Sequence, residues 1–419
     1  MEEGTWVARQ LARDSTLLAQ SLQTQAQSDR LCPPAETVSR LRPVLRDYGI
    51  TRLADITGLD DIGIPVWSAI RPNARSIAVG QGKGIDADAA QASALMEAIE
   101  VATAEALTQP VRRTSLRRLA QAGEHAEPLE DLIARAREPL GEDEEIDWAA
   151  GCDIVENRTV WVPADALSLD QTGTSGEKGR YWRSSDGLAS GNLLMEAALH
   201  GVLERIERDA MALWRLRGLS VIARRRRRAA DLADPVLDAL VAKVEAAGLT
   251  PYLFDATSDI GVPVFFCVIA PGARRRGDDW KHFDLVAGSG CHPRPARAAI
   301  RALTEAVQSR LTIISGARDD IRPSTYEAPL AQGLMAYLDT QPQPHLYTDI
   351  PVLPREKLLD GVVDRLRGAG LHRVIIVPLS GPGQPFAVAK AIVPGLEHPA
   401  GARRIGQGGR ALSMMLAPR

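Results

Sequence analysis

One helical segment with a line of acidic residues constrains this chain more than any other feature. Residues 191–210 read GNLLMEAALHGVLERIERDA, contain no proline and consist largely of small and straight-chain residues, which predicts a helix. At about 100° per residue, its polar side chains fall within roughly a third of the circumference. They are Asn192, Glu196, His200, Glu204 and Glu207. Apolar residues fill the neighbouring arc, so the acidic stripe borders the core and needs a compensating positive charge.

A second segment has the same pattern. In QASALMEAIEV, residues 91–101, Ser93, Glu97 and Glu100 lie at steps of four and three on an otherwise apolar predicted helix. Either helix alone is also compatible with a solvated acidic stripe. Two such helices favour a shared carboxylate site for a hard cation such as Mg²⁺, and Mg²⁺ held by carboxylates implies a phosphate-bearing ligand. The predicted metal ligands are Glu97, Glu100, Glu196, Glu204 and Glu207.

These segments and three others resemble the signature of the YcaO family. The resemblance rests on five motifs in the expected order over about residues 65–400. They are Gly82-Lys83-Gly84, Ser93-x3-Glu97-x2-Glu100, Asn192-x3-Glu196-x7-Glu204-x2-Glu207-Arg208-Asp209, Glu305-x2-Gln308-Ser309-Arg310 and Val393-Pro394-Gly395-Leu396-Glu397. The chain departs from the family at Asp186, where Asn is usual, which leaves an amide contact there in doubt.

The resemblance implies a mixed α+β, YcaO-like fold in which helices pack on antiparallel or mixed sheets. It also implies that ATP, bound with Mg²⁺, activates a peptide-bond oxygen in a site without a Walker loop, and this chain has no G-x4-G-K-[ST] motif. The residues implied to contact the nucleotide are Lys83, Ser93, Glu97, Glu100, Asn192, Glu196, Glu204, Glu207, Gln308 and Arg318. Arg208 and Arg310 are implied as catalytic positive charges.

Two phrases resemble the branch of the family encoded beside TfuA proteins. They are GITRLADITGLD at residues 49–60 and QSRLTIISGARDD at 308–320. Azoline-forming members end in a proline-rich tail, whereas this chain ends in Leu416-Ala417-Pro418-Arg419. The resemblance therefore implies an ATP-dependent thioamide synthetase acting on a ribosomally made peptide. An azoline-forming cyclodehydratase acting on Cys, Ser or Thr and a non-catalytic peptide-binding scaffold remain as alternatives.

The order of elements predicts three parts. Residues 1–65 read as a helical N-terminal region, 66–400 as the catalytic domain and 401–419 as a C-terminal tail. Within the second part, we predict a glycine loop at 80–84, a helical connector at 121–144, a hairpin over 146–163, a candidate lid at 170–180 and a strand-to-helix turn at 288–293.

Composition limits the partners. The net charge of −3 gives no argument for nucleic acid, no run approaches the ~20 apolar residues that span a bilayer, and the first residues do not resemble a signal peptide. We therefore expect a cytoplasmic protein without nucleic-acid or membrane partners. The four cysteines lie far apart and are predicted to be buried free thiols, so sulfur must come from outside.

The expected partners are a precursor peptide or protein, a TfuA-like protein, a sulfur donor and, as a possible assembly, a second copy of the chain. The arginine run at 224–228 is predicted to be a solvated face or, alternatively, a surface that binds an acidic peptide or partner electrostatically.

Overall fold

The computed structural model describes residues 3–21, 29–172, 179–272, 284–318, 321, 323–327, 337–345, 347, 353–399, 401 and 403–416. The helices are α1 (Glu3–Gln20), α2 (Pro34–Leu41), α3 (Ala87–Glu105), α4 (Leu116–Gln121), α5 (Leu194–Trp214), α6 (Leu219–Ala223), α7 (Pro235–Ala246), α8 (Pro295–Ser315), α9 (Pro323–Glu327), α10 (Leu358–Gly368) and α11 (Gly409–Leu416). The strands are β1 (Arg52–Asp55), β2 (Val66–Ile70), β3 (Val79–Lys83), β4 (Val111–Thr114), β5 (His125–Ala126), β6 (Ile146–Asp153), β7 (Arg158–Pro163), β8 (Leu188–Gly191), β9 (Arg226–Arg227), β10 (Leu249–Asp255), β11 (Val264–Pro271), β12 (Val286–Cys291), β13 (Ile375–Pro378) and β14 (Ala387–Ile392).

Three sheets are formed by the described residues. One has the order β1-β2-β3 and a second has the order β12-β11-β10-β9, and both are antiparallel. The largest has the order β5-β7-β6-β13-β14-β8, with β4 paired to β6, and its one parallel pairing joins β5 to β7. The predicted α+β class, with helices packed on antiparallel and mixed sheets, is confirmed.

The glycine-rich segment at 80–84 is a strand for most of its length, and the prediction of a loop there was wrong. Glycine lets α3 approach β3 directly, since a Cβ built on Gly82 would lie 2.0 Å from Ala94 N. The same arrangement occurs in β12 and α8, where a Cβ on Gly288 would lie 2.3 Å from Ala306 N. The predicted turn at 288–293 is therefore also strand up to Cys291, and close strand–helix contact explains its glycines.

The helix α5 is the most buried long element and begins three residues after the predicted start. It packs on β8 and β14 of the largest sheet and on β12 of the second sheet. Leu203 and Ile206 are almost fully buried, and each such side chain stabilises the fold by about 1.5–3 kcal/mol. This packing fixes the orientation of the acidic stripe next to the core.

The N-terminal region is not purely helical. α1 and α2 are present as predicted, but β1 pairs with β2 across residue 65, so the predicted boundary falls inside a sheet. The region is also attached to the rest of the chain, because Asp14 Oδ2 accepts a hydrogen bond from Met195 N at 3.0 Å. The division into three parts stays a proposal.

Other predicted segments differ in detail. The hairpin over 146–163 is confirmed as β6 and β7. The helical connector at 121–144 was wrong, because α4 ends at Gln121 and is followed by β5, the short 3₁₀ helix Glu130–Leu132 and turns. Residues 173–178 of the candidate lid, 319–320 of the second TfuA-type phrase and 417–419 at the chain end lie outside the described residues. None of the described helices is long and apolar enough to cross a membrane.

The arginine run at 224–228 is only partly the solvated face that was predicted, since Arg224 and Arg228 are exposed whereas the three arginines between them are half-buried. Arg226 stacks on the Tyr252 ring at 4.5 Å and donates to Thr340 O, and Arg228 Nη2 lies 2.7 Å from Asp231 Oδ1. Arg226 and Arg227 form β9, which pairs with β10, so strand pairing turns the run toward partners on the protein itself.

Candidate active site

A cleft of about 1160 Å³ lies among α3, α5 and α8. The strands β3, β8 and β12, each of which precedes one of these helices, complete its walls. Ten of the twelve residues predicted for the site line this cleft. They are Lys83, Ser93, Glu97, Glu100, Asn192, Glu204, Glu207, Arg208, Gln308 and Arg318. The structure thus brings together residues that are up to 235 positions apart in the chain.

Two carboxylates come from α3. Burial raises the pKa of Glu97 to about 7, although Lys83 and a hydrogen bond with the Gln81 backbone act in the opposite direction. Burial also raises the pKa of Glu100 to about 8, and the neighbouring Glu97 and Glu204 add to this effect. Ser190 Oγ donates to Glu100 Oε1 at 2.5 Å. The cation and hydrogen-bond donors beside Glu97 and Glu100 thus stabilise their charged forms only in part.

Two further carboxylates and an arginine come from α5. Arg208 lies 3.1 Å from Glu204, 3.6 Å from Glu207 and 3.4 Å from Asp186. Although burial acts to lower the pKa of Arg208, Glu204 and Glu207 raise it above its ordinary value. Burial raises the pKa of Glu207 to about 7, with Glu305 as a second cause. A single guanidinium therefore faces several carboxylates.

The third wall comes from α8 and β3. Glu305 Oε2 lies 3.5 Å from Lys83 Nζ, and Gln308 Nε2 donates to Gln81 O at 2.7 Å. Thr312 Oγ1 donates to the Gln81 side chain. Gln308 thus fixes β3 against α8, and Glu305 adds a fifth carboxylate to those of Glu97, Glu100, Glu204 and Glu207.

Glu196 does not line the cleft. Glu196 lies in the first turn of α5, where its side chain contacts the N-terminal segment. Its carboxylate accepts hydrogen bonds from Leu31 N at 2.6 Å and Asn192 N at 2.9 Å, and Arg30 lies 3.4 Å away. Glu196 therefore holds the N-terminal segment in this structure, and its role as a Mg²⁺ ligand and nucleotide contact stays a prediction.

Arg310 also lies outside the cleft lining. Five residues of helix separate it from Glu305 by about 140°, which turns it to another face of α8. Its Nε lies 2.7 Å from Asp60 Oδ2. Of the predicted catalytic pair, Arg208 faces the cleft, whereas Arg310 joins α8 to the segment after β1, and the catalytic role of Arg310 stays a prediction.

The opposite end of the cleft is basic. Arg301 and Arg297 continue from Glu305 at steps of four toward the start of α8, and both line the cleft. Asp29 Oδ2 accepts hydrogen bonds from Arg297 Nη1 at 2.5 Å and shares a 2.7 Å bond with His292. His200 lines the cleft as well, and burial lowers its pKa well below 6.5. The cleft thus changes from acidic to basic along α8.

The donor set of the acidic end fits Mg²⁺. Its ligands would be carboxylate oxygens, which hard cations prefer, and burial, the main cause of the raised pKa values, disfavours the charged carboxylates unless a cation binds beside them. Among the described residues, no three acidic, His or Cys side chains meet closely enough to form a complete metal site. Mg²⁺ in nucleotide sites usually takes one or two carboxylates and completes its shell with phosphates and water, so this arrangement suits a metal that arrives with a nucleotide.

Several contributors to the site were missed by the sequence interpretation. Ser190 and Ser289 lie on the strands before α5 and α8, and they donate to Glu100 and Glu207 at 2.5 Å and 2.7 Å. Each serine precedes a glycine where the strand meets its helix, which is the signal that could have identified them. Nothing in the sequence pattern joined Asp29 to α8, because their contact depends on tertiary structure.

Comparisons with known proteins assign the chain to a family. Residues 81–397 match the family model described as "YcaO cyclodehydratase, ATP-ad Mg2+-binding". The chain is 38% identical over 398 residues to an uncharacterized protein in the tfuA 3′ region of Rhizobium leguminosarum bv. trifolii, with 92% of each chain covered. It is 33% identical over 384 residues to an uncharacterized protein of Methanothermobacter thermautotrophicus, covering 87% of this chain and 94% of the relative.

Solved structures support the same fold. A heterocyclase in complex with substrate and cofactor is similar at a TM-score of 0.75 and 22% identity, over 97% of this chain and 59% of that chain. The present chain thus spans about three fifths of that heterocyclase. YcaO from Methanopyrus kandleri bound with AMPPCP and Mg²⁺ gives a TM-score of 0.66 and 24% identity, over 88% and 92% of the two chains. The chain belongs to the YcaO family, in its TfuA-associated branch, and the predicted cofactors ATP and Mg²⁺ are confirmed by the family description.

Proposed function

We propose that this YcaO-family protein uses Mg²⁺-ATP to phosphorylate the oxygen of a peptide backbone amide, and that the product is a thioamide. The observation that carries the proposal is the group of five carboxylates at the acidic end of the cleft, which outnumber the cations Lys83, Arg208 and Arg318 beside them and fit a metal-bound triphosphate. The 38% identical relative in the tfuA 3′ region supports the thioamide branch and a TfuA-like partner.

The chemistry explains why such a cleft is needed. A peptide amide is a poor electrophile, and its oxygen is a poor leaving group. Hydrosulfide adds to the carbonyl carbon, the resulting oxygen accepts the γ-phosphoryl group of ATP with release of ADP, and loss of phosphate and one proton leaves C=S in place of C=O. The overall exchange consumes ATP and hydrosulfide and releases ADP and phosphate, without oxidation or reduction.

The residues have distinct proposed roles. Glu97, Glu100, Glu204 and Glu207 hold Mg²⁺, with Glu305 as an additional carboxylate, and bound Mg²⁺ supplies neutralisation of phosphate charge. Arg208 stabilises negative charge on the transferred phosphoryl group, because its guanidinium faces the same carboxylates that hold the metal. Lys83, Ser93, Asn192, Gln308 and Arg318 contact the nucleotide. All five line the cleft.

The sulfur is proposed to come from outside the chain. All four cysteines are free and buried, as predicted. Burial raises the pKa of Cys152 to about 11 and also raises the pKa values of Cys267 and Cys291, so none of these three is an activated thiolate. A TfuA-like protein or free sulfide is therefore the proposed donor, and a precursor peptide, with a possible homodimer, completes the expected partners.

An azoline-forming cyclodehydratase is the second candidate, and the family description, which names a cyclodehydratase, favours it. The two reactions are separated by mass spectrometry of a co-expressed precursor. Replacement of oxygen by sulfur adds about 16 Da per site, whereas cyclodehydration removes about 18 Da. Precursor that is bound but unchanged in mass, without ATP consumption, would instead support a non-catalytic scaffold and refute both reactions.

A further inference from the structure

The basic end of the cleft has no role in the proposed function. It is formed by Arg297 and Arg301 of α8, Arg30 of the N-terminal segment and His200 of α5, and all four line the cleft. We propose that this basic end binds the hydrosulfide ion that attacks the peptide carbonyl. The inference rests on the proposed function, since it assumes that external sulfide is the nucleophile, and it gives that sulfide a binding site on this chain.

Arg301 is the cation that an anionic ligand would meet in the cleft. Its Nη1 donates to Cys291 O at 3.1 Å, a neutral partner, and within the described part of the chain it forms no ion pair. The nearby carboxylate of Asp29 lies 2.5 Å from Arg297 instead. Burial and the neighbouring Arg30 and Arg297 lower the pKa of Arg301, although Asp29 acts in the opposite direction. Arg301 therefore carries a charge that the protein does not fully compensate.

The charges at this end fit one monovalent anion. Three guanidiniums line it, those of Arg30, Arg297 and Arg301. Two carboxylates lie against them, Glu196 at 3.4 Å from Arg30 and Asp29 at 2.5 Å from Arg297. One positive charge is left over, which a monovalent anion neutralises. A phosphate dianion would instead place excess negative charge beside two carboxylates, which like charges disfavour.

His200 distinguishes hydrosulfide from other monovalent anions. Burial lowers its pKa well below 6.5, with Arg301 as the second cause, and burial also lowers the pKa of His292 to about 4, so both rings are neutral at pH 7. A neutral imidazole has one acceptor nitrogen. Hydrosulfide offers a negative charge to Arg301 and an S–H donor to a neutral ring, whereas a carboxylate or a halide ion has no donor. This pair of side chains therefore matches hydrosulfide.

The spacing along two helices places the basic end beside the chemistry. His200 lies four residues before Glu204 on α5, and Arg301 lies four residues before Glu305 on α8. Four residues of helix rise about 6 Å, which leaves room for one amide between the two ends of the cleft. The five carboxylates repel hydrosulfide from the acidic end. The anion therefore binds on one side of the amide, and the phosphates that accept its oxygen bind on the other.

The first experiment needs no variant. Chloride-35 NMR on the full chain measures the line broadening of bound chloride, which a competing anion removes. At mildly alkaline pH and without oxygen, hydrosulfide should displace chloride at a concentration at least about tenfold lower than acetate does. It should also do so when Mg²⁺-AMPPCP is bound. Equal displacement by acetate would assign the site to a substrate carboxylate, and loss of the broadening on addition of Mg²⁺-AMPPCP alone would assign it to the nucleotide. Either result would overturn the proposal.

Variants of Arg301 localise the binding. Arg301→Gln should abolish the hydrosulfide-sensitive broadening. Arg301→Lys keeps the charge but loses the planar fork, and it should weaken hydrosulfide binding about threefold or more if Arg301→Gln does not fold. Arg224→Gln removes an exposed arginine outside the cleft lining and is the control, which should bind hydrosulfide normally. Unchanged hydrosulfide binding in the Arg301 variants, or an equal loss of Mg²⁺-AMPPCP affinity, would refute the site.

Turnover separates this inference from the proposed function. With a precursor and free sulfide, the Arg301 variants should raise the KM for sulfide about tenfold or more and leave the KM for ATP close to that of the wild type. If the precursor gains sulfur and the KM for sulfide does not change, the sulfide site is wrong while the function stands. If hydrosulfide binds as expected but no precursor gains sulfur, the thioamide function is wrong while the anion site stands.

Discussion

Two clusters of like charge in this protein differ in how the protein compensates their charges. The arginines at 224–228 turn to partners on the chain itself, including Asp255, Asp231 and the Tyr252 ring. The cleft carboxylates instead remain in excess over the cations beside them, and burial raises their pKa values. A like-charge cluster with partners on the protein stabilises the fold, whereas one without enough partners indicates a ligand of opposite charge.

The largest expected effect comes from removing one member of the acidic cluster. Glu204→Ala and Glu97→Ala should each lower ATP consumption in the presence of substrate by about a hundredfold or more, because charge stabilisation at the phosphates is lost. The melting temperature of the metal-free protein should hold or rise, since repulsion is relieved. Glu142→Ala, an exposed carboxylate beside Arg117, is the control and should be active. Normal turnover in either cleft variant, or loss of the folded state in both, would refute the carboxylate site.

The second prediction tests Arg208, the arginine that pairs with Glu204 and Glu207 of the cluster. Arg208→Lys keeps the charge but loses the planar fork that reaches Glu204, Glu207 and Asp186. We expect kcat to fall about tenfold to a hundredfold while ATP affinity changes less. Arg310→Lys, at the Asp60 pair outside the cleft, should change stability rather than kcat. Equal loss of kcat in both variants would remove the distinction between the two arginines.

The site could be predicted from sequence where helical periodicity applied over short distances. Glu97 with Glu100, and Glu204 with Glu207, lie within one turn of each other, and the structure places all four in one cleft. Glu196 and Arg310 lie outside the cleft lining because each contacts another part of the chain, Leu31 and Asp60 respectively, and their predicted roles stay predictions. The contacts of Asp29 with His292 and Arg297 join distant parts of the chain, which no local pattern encodes.

The prediction of the fold from sequence had the same limit, because local patterns do not encode contacts between distant elements. The hairpin and the helices α3 and α5 follow from periodicity, with errors of a few residues at their ends. The glycines of β3 and β12 were interpreted as turns because glycine usually breaks strands. Their actual role, allowing a helix to contact the strand backbone, depends on packing between two elements.

The third prediction tests this packing as the support of the acidic cluster. Gly82→Ala places a Cβ 2.0 Å from Ala94 N, so α3 must shift, and we expect a loss of about 1–3 kcal/mol in the free energy of unfolding together with weaker Mg²⁺-ATP binding. Gly58→Ala has no atom within 4 Å of the added Cβ and is the matched control. Chemical denaturation and calorimetric titration measure the two quantities. An unaffected Gly82→Ala protein would show that α3 does not depend on the close approach.

The fourth prediction tests the arginine run at 224–228, which the comparison sets against the cleft carboxylates. Arg226→Met removes the guanidinium that stacks on Tyr252 and donates to Thr340 O, and it should cost about 1 kcal/mol of stability. Mg²⁺-ATP affinity should stay constant, since the run lies outside the cleft lining. Arg224→Met, at an exposed position, is the control and should be close to neutral. If Arg226→Met instead bound an acidic peptide more weakly without losing stability, the result would support the alternative that the run is a binding surface for acidic peptides.

The smallest expected effect is the share of the pH dependence that the acidic cluster contributes. The carboxyl pKa values of Glu97, Glu100 and Glu207 are raised to about 7 or 8 in the folded, metal-free protein, so these groups bind more protons in the folded than in the unfolded chain between about pH 5 and 8. This share lowers the melting temperature by about a few degrees as the pH rises from 6 to 8, while buried histidines with lowered pKa values act in the opposite direction and are the same in the two proteins compared below. Mg²⁺-ATP displaces those protons, so its stabilising effect should grow over the same range. Glu100→Gln removes one titrating group and should flatten both trends. A pH response that is the same in wild type and Glu100→Gln would place its origin outside the cluster.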